Sequence, residues 1–355
     1  IVDKTDTPNL DDLFQMEFIT TTTDDDGNTT GEDFKGENLI TGTIKGVAEN
    51  RTPTVYFLSG HGEKSLDSYT KFTTNLTNYN YTAKELNLSE TDSVPDDAAL
   101  VLVAAPSKDI TDAEAEKLNA YLDNGGNISL LMSPNGGAFA YTNLEAIMKD
   151  YGFYMDYDRV SETNSNYHIS GDKYTIQCEL NELDDDSEAT DLTSSLLNQG
   201  LYTFMPESRS FRYNDEGGKY TIAPLITTYD SAEGEPYGGV SDDPEKQSGQ
   251  MLLAADSTSI ARNDSKMVVF GNAEFIDDEH VSDDTVIVPV YLFLSTISWM
   301  YDSDIDMEIS TKSATNDYIS LQDAGFAKGL MVVLTVIPVA IMAAGIGIWI
   351  KRRNS

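Results

Sequence analysis

Short apolar runs alternate with amphipathic segments between residues 54 and 132. The run at 54–58 contains no charged residue, which is typical of a strand that is buried on both faces. The apolar residues after it recur at the spacing of one helix face, namely Tyr69, Phe72, Leu76 and Tyr79. Further strands are predicted at 81–88, 100–104 and 128–132. Because right-handed crossovers join successive parallel strands, this rhythm predicts an α/β fold with a mostly parallel, doubly wound sheet.

One helix in this region has distinct start and stop signals. Thr111 and Glu114 form a capping box, and the pair Gly125-Gly126 ends the helical pattern. A further helix at 142–151 and a strand at 152–157 are predicted to add another unit to the sheet.

The flanking segments carry weaker patterns. Residues 10–23 predict a strand that leads into a polar turn at 24–33, and residues 37–49 predict a short helix. Residues 158–260 contain strand-like runs between acidic loops, which indicates a β-rich insertion or a second lobe. After them, residues 266–271 predict a return strand of the first sheet, and a helix at 286–301 is expected to pack beside it.

Residues 329–350 form an uncharged apolar run of 22 residues that is followed by Lys351, Arg352 and Arg353. At about 1.5 Å per residue a helix of this length extends roughly 33 Å, enough to cross a hydrocarbon core of about 30 Å. The run therefore predicts a transmembrane helix. By the positive-inside rule the basic tail is cytoplasmic and the residues before the helix are extracytoplasmic. The chain begins at Ile1 rather than Met, so we expect an export signal or a second membrane span upstream.

These patterns divide the chain into seven predicted parts. They are an N-terminal strand and helix segment (1–50), an α/β domain (51–157), the β-rich insertion or second lobe (158–260), the return strand and helix (261–301), a juxtamembrane linker (302–328), the transmembrane helix (329–350) and a cytoplasmic tail (351–355).

The acidic balance of the chain limits its partners. Asp and Glu number 60 against 23 Lys and Arg, which gives a formal net charge of −37. Such a field opposes binding to phosphate backbones and to anionic lipid surfaces, so nucleic acid is excluded as a partner. Cys178 is the only cysteine, so no disulfide can form within the chain.

Several motifs follow one another in a distinctive order. They are Phe34-Lys-Gly-Glu37, Val55-Tyr-Phe-Leu-Ser-Gly-His-Gly-Glu63, Leu102-Val-Ala-Ala-Pro106, Tyr121-Leu-Asp-Asn-Gly-Gly126, and Val268-Val-Phe-Gly-Asn272 with Phe275, before the final apolar helix and Arg352-Arg353. This order spans nearly the whole chain and resembles the GldG-like auxiliary components of ABC transporters, a family first associated with gliding motility. The Gly-His-Gly-Glu turn is its most specific element.

The resemblance implies an extracytoplasmic domain of the class I glutamine amidotransferase-like type. It also implies two partners, a polytopic permease and a cytoplasmic ATPase. Family members often carry a membrane helix at each end, whereas this sequence contains only the last one. Motility itself is not part of what the resemblance implies, because many homologues occur in organisms that do not glide.

The loops that follow the predicted parallel strands supply the candidate site. Ligands of open parallel sheets bind beyond the carboxyl ends of the strands, so these loops should share one edge. The candidate ligand- or partner-binding residues are Gly60, His61, Gly62, Glu63, Pro106, Ser107, Ser133, Asn135, Asn272 and Glu274. His61 could supply an imidazole and Glu63 a carboxylate to a bound group. The alternative is a tight turn in which the same two side chains bind nearby backbone groups.

The residues of a catalytic centre are missing from these loops. An amidotransferase needs a cysteine on a sharp elbow between a strand and a helix, and a serine hydrolase needs the equivalent Gly-x-Ser-x-Gly. Cys178 lies instead in a strand-like segment, and Ser107 is flanked by Pro106 and Lys108 rather than by glycines. The sequence therefore predicts no catalytic residue.

Metal and nucleotide sites are not predicted either. The three histidines are far apart in the sequence, and the acidic run at 277–280 fits a solvated loop better than a calcium site. No P-loop or Gly-x-Gly-x-x-Gly follows any strand, so nucleotide hydrolysis is assigned to another subunit and no cofactor is expected.

The resulting hypothesis is a non-enzymatic, membrane-anchored subunit of an ABC transport system that binds a substrate or partner. The alternatives are a surface hydrolase or amidase that uses His61 and Glu63, and an adhesive or structural surface domain. If a permease lies alongside the membrane helix, small residues should form the packing surface, with a kink at the proline. The predicted packing residues are Pro338, Ala340, Ala344 and Gly347.

Overall fold

The secondary structure comes from a computed structural model that describes residues 19–23, 29–34, 52–183, 191–200, 202–214, 218–239, 247–301 and 312–313. The strands are β1 (Ile19–Thr23), β2 (Thr29–Phe34), β3 (Thr54–Leu58), β4 (Thr82–Leu86), β5 (Ala98–Ala104), β6 (Ile128–Leu131), β7 (Phe153–Met155), β8 (Asp158–Glu162), β9 (His168–Ile169), β10 (Asp172–Leu180), β11 (Thr203–Met205), β12 (Phe211–Tyr213), β13 (Tyr220–Thr228), β14 (Ala232–Pro236), β15 (Gln247–Ser248), β16 (Leu252–Ser259), β17 (Ser265–Phe270) and β18 (Lys312–Ser313). The α-helices are α1 (Thr70–Asn78), α2 (Asp112–Asp123), α3 (Thr142–Lys149), α4 (Asp191–Gln199) and α5 (Ile287–Met300). Short 3-10 helices lie at Leu66–Tyr69, Ile260–Arg262, Glu274–Ile276 and Asp284–Val286.

Five parallel strands form the core of the main sheet, in the order β4-β3-β5-β6-β17. The predicted strands at 54–58, 100–104 and 128–132 and the return strand at 266–271 are thus confirmed, with small shifts at their ends. All five residues of β3 and all six of β17 are buried, as expected for strands covered on both faces.

Helices cover both faces of this core. Phe72 of α1 and Phe293 of α5 belong to one cluster of buried apolar side chains, and Leu118 of α2 and Leu144 of α3 belong to a second cluster. Strands β3 and β5 contribute alternate side chains to the two clusters, so the two cores lie on opposite faces of the sheet. The doubly wound arrangement of the core is therefore confirmed.

The sheet continues beyond β17 as antiparallel strands, in the order β16-β13-β10-β11. The sheet is therefore mixed, with a parallel core. The connection from β16 to β17 contains only the short 3-10 helix and then Asn263 and Asp264, whose φ angles are 53° and 56°. A connection this short can join only antiparallel neighbours, whereas a parallel pair needs a longer crossover. How residues 158–260 divide into domains stays a prediction.

Two predicted elements differ from the structure. The strand at 152–157 is reduced to β7, which pairs antiparallel with β12 instead of adding a parallel unit. The predicted polar turn at 24–33 overlaps β2, which pairs antiparallel with β18. Both corrections have the same cause, because the pairing strands come from distant parts of the chain and leave no local signal.

Two smaller sheets complete the described secondary structure. One has the order β1-β2-β18, and the other has the order β15-β14-β8. Within the described ranges, none of the helices has the length and apolar character needed to cross a membrane. The apolar run at 329–350, its packing residues and the predicted helix at 37–49 lie outside those ranges.

Candidate functional site

The carboxyl ends of β3, β5, β6 and β17 lie at one edge of the sheet, because these strands are parallel neighbours. All ten predicted site residues lie in the segments that follow these strands, with Glu274 at the start of a short 3-10 helix. Their role in binding stays a prediction. The chain goes from β3 to β4 on one side and then crosses to β5 on the other side of β3, so the strand order reverses between β3 and β5. In open α/β sheets the ligand crevice is expected at this switch point.

His61 lies just after β3 and is held between two carboxylates. Its Nδ1 is 3.2 Å from Oε1 of Glu63, and its Nε2 is 3.1 Å from Oε2 of Glu114. Its backbone N–H also donates to Oε2 of Glu63 at 2.6 Å. Only 3% of the His61 surface is exposed. Both imidazole nitrogens therefore bind carboxylates, and His61 acts as a buried clamp, by which we mean that it links the loop after β3 to helix α2.

Glu114 reaches His61 because the capping box fixes the first turn of α2. Its backbone N–H donates to Oγ1 of Thr111, while its carboxylate accepts bonds from the Thr111 backbone N–H at 2.8 Å and the Thr111 hydroxyl at 2.6 Å. The capping box was predicted, but its second role as a histidine partner was not. A carboxylate near a helix N-terminus is also favoured by the helix dipole.

The protonation of this cluster follows from its hydrogen bonds. The bond to Glu63 raises the pKa of His61 against the opposing effect of burial, and the bond to Glu114 adds to the rise. Burial disfavours ionisation of Glu114, but the bonds from Thr111 and His61 outweigh it and lower the pKa of the carboxyl group. The cluster therefore favours an imidazolium beside carboxylates.

These shifts predict how stability depends on pH. The contribution of His61 is complete below its ordinary pKa of about 6.5 and is lost as pH rises through the higher pKa of the folded protein. The contribution of Glu114 is complete above about pH 4.3 and is lost as pH falls through its lowered pKa. Urea unfolding between pH 5 and 9 should show a stability that declines above about pH 6.5, and His61→Gln should flatten this decline. An equal decline in the variant would contradict the assignment to His61.

The switch-point crevice is filled by the two loops themselves. The carbonyl oxygen of His61 accepts hydrogen bonds from the backbone N–H of Ser107 at 2.9 Å, from that of Lys108 at 3.1 Å and from the Ser107 hydroxyl at 3.1 Å. Gly62 lies against the same serine, and a Cβ atom at Gly62 would be 1.8 Å from Ser107 Oγ. The loops after β3 and β5 are therefore locked together.

The contact between Gly62 and Ser107 gives a second prediction. Gly62 has a φ of +87°, so Gly62→Ala should suffer both left-handed strain and displacement of Ser107, together about 2 to 3 kcal/mol of unfolding free energy. Gly171→Ala is the matched control, because Gly171 has a φ of +88° and no atom lies within 4 Å of its Cβ position. Urea denaturation should show a larger loss for Gly62→Ala. Equal losses would mean that the loop contact adds nothing.

The residue immediately after β5 is backbone-strained and carries no nucleophile. Ala105 has a φ of 48°, in the left-handed region that only a few per cent of non-glycine residues adopt. In hydrolases a strained turn after a strand carries the nucleophile. Here the position holds a methyl group, and the hydroxyl of the nearby Ser107 bonds a backbone carbonyl instead of an imidazole nitrogen. Burial raises the pKa of the Cys178 thiol, and its side chain lies in β10, far along the sheet order from β5.

The loops after β5 and β6 are joined through Tyr141. Its hydroxyl donates to the carbonyl of Pro106 at 2.5 Å and accepts a bond from Nδ2 of Asn135 at 3.4 Å. Tyr141 is 1% exposed and its ring stacks on Tyr157 at a centroid distance of 6.4 Å. Two of the predicted site residues therefore bind a tyrosine that the sequence patterns did not single out.

The loops after β6 and β17 are joined by hydrogen bonds of their own. The hydroxyl of Ser133 accepts a bond from the backbone N–H of Ala273 at 3.0 Å. Asn272 accepts from the backbone N–H of Glu274 at 2.6 Å and donates through Nδ2 to the carbonyl of Glu207 at 3.1 Å. Burial raises the pKa of Glu274. These contacts dock the segment after β11 onto the edge of the sheet.

Arg209 lies at this edge because it belongs to the segment after β11 that binds there. Its backbone N–H donates to the carbonyl of Gly271 at 2.9 Å, and a Cβ atom at Gly271 would be 2.1 Å from the Arg209 carbonyl oxygen. The side chain of Arg209 is fully buried, and its Nη2 donates to the carbonyl of Ser133 at 3.0 Å. No sequence pattern marked Arg209, because it lies in an irregular segment with no periodic neighbours.

The acidic run at 277–280 is fixed by basic partners. Asp277 is 1% exposed and accepts bonds from Nζ of Lys64 at 2.5 Å and from Nδ1 of His280 at 2.7 Å. Among the described residues, ligand atoms of Asp277, Glu279 and His280 lie within 4.8 Å of one another. Because the Lys64 ammonium already balances the buried carboxylate, the arrangement is that of an ion-paired loop.

Comparisons with known proteins find one matching family model and several similar solved structures. The family model described as ABC-type uncharacterized transport system matches residues 52–289. No curated protein matches the sequence. The N-terminal domain of mmIFT52 is similar in structure, with a TM-score of 0.53, 17% identity and coverage of 71% of this chain and 99% of that domain. A ThuA-like protein from Parabacteroides merdae matches with a TM-score of 0.36, 11% identity and coverage of 62% of this chain and 79% of that one. At these identities the mmIFT52 domain indicates a shared fold alone.

Proposed function

The chain belongs to the family of auxiliary components of ABC-type uncharacterized transport systems, and we propose that it is a non-enzymatic subunit of such a system. The family match carries this proposal, because residues 52–289 contain the whole parallel core and all four loops of the shared edge. The proposed partners are a polytopic permease and a separate cytoplasmic ATPase.

The hydrogen bonds of the loops at the strand edge support a role without catalysis. Both ring nitrogens of His61 face carboxylates, so the imidazole has no free nitrogen to activate a nucleophile. The strained position after β5 is an alanine. The Ser107 hydroxyl bonds a backbone carbonyl and the His61 nitrogens face carboxylates, so these residues do not form the nucleophile–base pair that a hydrolase or amidase uses.

The membrane anchor is part of the proposal. We assign residues 329–350 to a single transmembrane helix, with the basic tail in the cytoplasm and the α/β domain outside it. The class I glutamine amidotransferase-like assignment of this domain belongs to the same proposal. The parallel core with helices on both faces supports it.

Affinity purification tests the proposed function. The full chain would be tagged at its N-terminus, extracted from native membranes in a mild detergent and purified, and the co-eluting proteins identified by mass spectrometry. The proposal predicts recovery of a polytopic permease and an ATPase. Recovery of the chain alone, under conditions in which another ABC transporter stays intact, would contradict it.

The membrane helix gives a prediction that the same assay can check. Small residues allow close helix packing, so Ala344→Leu combined with Gly347→Leu should reduce permease recovery without preventing membrane insertion. Val332→Leu is a matched control, because it changes an apolar residue outside the predicted packing surface. Insertion is measured by carbonate extraction of the membranes. Unchanged permease recovery in the double variant would leave the helix as a tether only.

A further inference from the structure

Arg209 has two hydrogen-bond donors without partners in a buried position. The side chain is 0% exposed, and only its Nη2 donates a bond, to the carbonyl of Ser133 at 3.0 Å. Nε and Nη1 are buried and make no hydrogen bond. Buried donors without partners are rare in folded proteins and cost free energy, so each calls for a specific explanation.

Among the described residues, no carboxylate bonds directly to the Arg209 guanidinium, although Asp158 and Glu145 act on its charge at longer range. Its guanidinium carbon is 5.7 Å from the centroid of the Tyr141 ring and 5.5 Å from that of Tyr157, so two aromatic rings lie against it. The nearby Asp158 is bonded to Ser210 instead, at 2.9 Å and 2.7 Å. Burial raises the pKa of Asp158, which weakens its value as a counter-charge. The guanidinium is therefore buried without a hydrogen-bonded anion.

Arg262 shows how the same chain treats a shielded guanidinium elsewhere. Its side chain is 11% exposed and lies 5.8 Å from the Tyr151 ring, so its burial and aromatic contact are similar. Arg262, however, pairs with Asp123 at 3.3 Å and with Asp150. The difference between the two arginines is the missing carboxylate at Arg209.

The position of Arg209 is that of a ligand site. Ser133, its bonding partner, follows β6 at the carboxyl edge, where α/β sheets bind ligands. The segment above it, residues 133–140, has neither helix nor strand and is exposed or half-buried throughout. The Gly137 carbonyl of this segment accepts a hydrogen bond from the backbone N–H of Gly239 at 3.0 Å, so an anion reaches the buried guanidinium only when this part of the edge moves.

We infer that Arg209 is an anion-binding residue and that its two free donors bind the carboxylate group of a small organic anion. A carboxylate carries the single charge that balances one guanidinium, and charge-assisted bonds of this kind are strong. The net charge of −37 and the carboxylates of Glu145 and Asp158, which lie near Arg209 without bonding to it, repel any anion, but they repel a phosphate dianion more strongly than a singly charged carboxylate. The inference goes further than the proposed function, because it names a ligand chemistry that the isolated chain must display without a permease or an ATPase.

Thermal unfolding of the purified full chain in mild detergent tests this inference. Acetate, inorganic phosphate and chloride would be titrated at equal ionic strength. Acetate should raise Tm relative to chloride and the rise should saturate, as ligand linkage requires. Arg209→Met should weaken the apparent affinity for acetate by about tenfold or more, because it removes the charged donors. Arg262→Met should leave the acetate response unchanged, although it lowers Tm.

A second variant keeps the test decisive. If Arg209→Met does not fold, Arg209→Lys retains the charge while losing the donor geometry, and the same tenfold weakening is expected. The inference is overturned if acetate gives no saturable rise in the wild-type protein, or if the Arg209 variants respond as the wild type does. A saturable response to phosphate alone would overturn the carboxylate assignment. None of these results alters the outcome of affinity purification. The anion-binding inference can therefore be wrong while the proposed transport role is right, and the reverse.

Discussion

Replacement of His61 by alanine is expected to lower the free energy of unfolding by about 3 to 5 kcal/mol. The change leaves the carboxylates of Glu63 and Glu114 buried, with side-chain exposures of 2% and 6%, and without the imidazole that they share. Breaking a buried ion pair from one side is costly because the remaining charge keeps its desolvation penalty. Urea unfolding near pH 6, where the histidine contributes fully, is the appropriate measurement.

His280→Ala is the control for this prediction. His280 also binds a buried carboxylate, but its own side chain is 39% exposed and Asp277 keeps its bond to Lys64. The expected loss is therefore below about 1 kcal/mol, as for other exposed pairs. Comparable losses for the two histidines would contradict the view that His61 is a buried clamp, and an unchanged stability of His61→Ala would contradict it more strongly.

Phe293→Ala is expected to cost about 3 to 5 kcal/mol of unfolding free energy, as typical for a large buried aromatic residue. Phe293 is 0% exposed and lies at the centre of an aromatic cluster, with centroid distances of 5.6 Å to Phe72, 5.5 Å to Phe270 and 5.9 Å to Phe275. These partners come from α1, from β17 and from the turn after it. The residue therefore fastens α5 to one face of the sheet.

Tyr202→Ala is the control for the aromatic cluster, because Tyr202 is 71% exposed. Its substitution should change the free energy of unfolding by no more than about 0.5 kcal/mol. Urea unfolding should give similar m-values for both variants and the wild type, since the same surface is exposed on unfolding. A small effect of Phe293→Ala would mean that α5 does not complete the core.

The parallel core could be predicted because its signals are local. The apolar run at 54–58 and the capping box formed by Thr111 and Glu114 each span only a few consecutive residues. The order of such strands and helices along the chain determines how right-handed crossovers connect the parallel strands. The antiparallel extension could not be predicted in the same way. Its pairing of β10 with β13 joins residues about fifty positions apart, and their alternation alone does not say which strand lies next to which.

The candidate site was predictable to a similar extent. His61 and Glu63 are two residues apart in a glycine-bounded turn, so the sequence presents them together. Glu114 joins them from 53 positions away, because the capping box aims its carboxylate back at the sheet edge. Arg209 and Tyr141 reach the same edge through contacts of irregular segments, for which the sequence carries no period. The polar network was therefore visible only in part before the fold was known.

Native electrophoresis of detergent-solubilised membranes, followed by mass spectrometry of each band, tests most directly whether this chain is a transport subunit. We expect the chain to migrate in one band with a permease and an ATPase, and the His61→Gln variant, if folded, to stay in that band because the His61 side chain bonds only within the chain, to Glu63 and Glu114. Migration of the chain alone, with the permease and the ATPase together in a different band, would contradict the account.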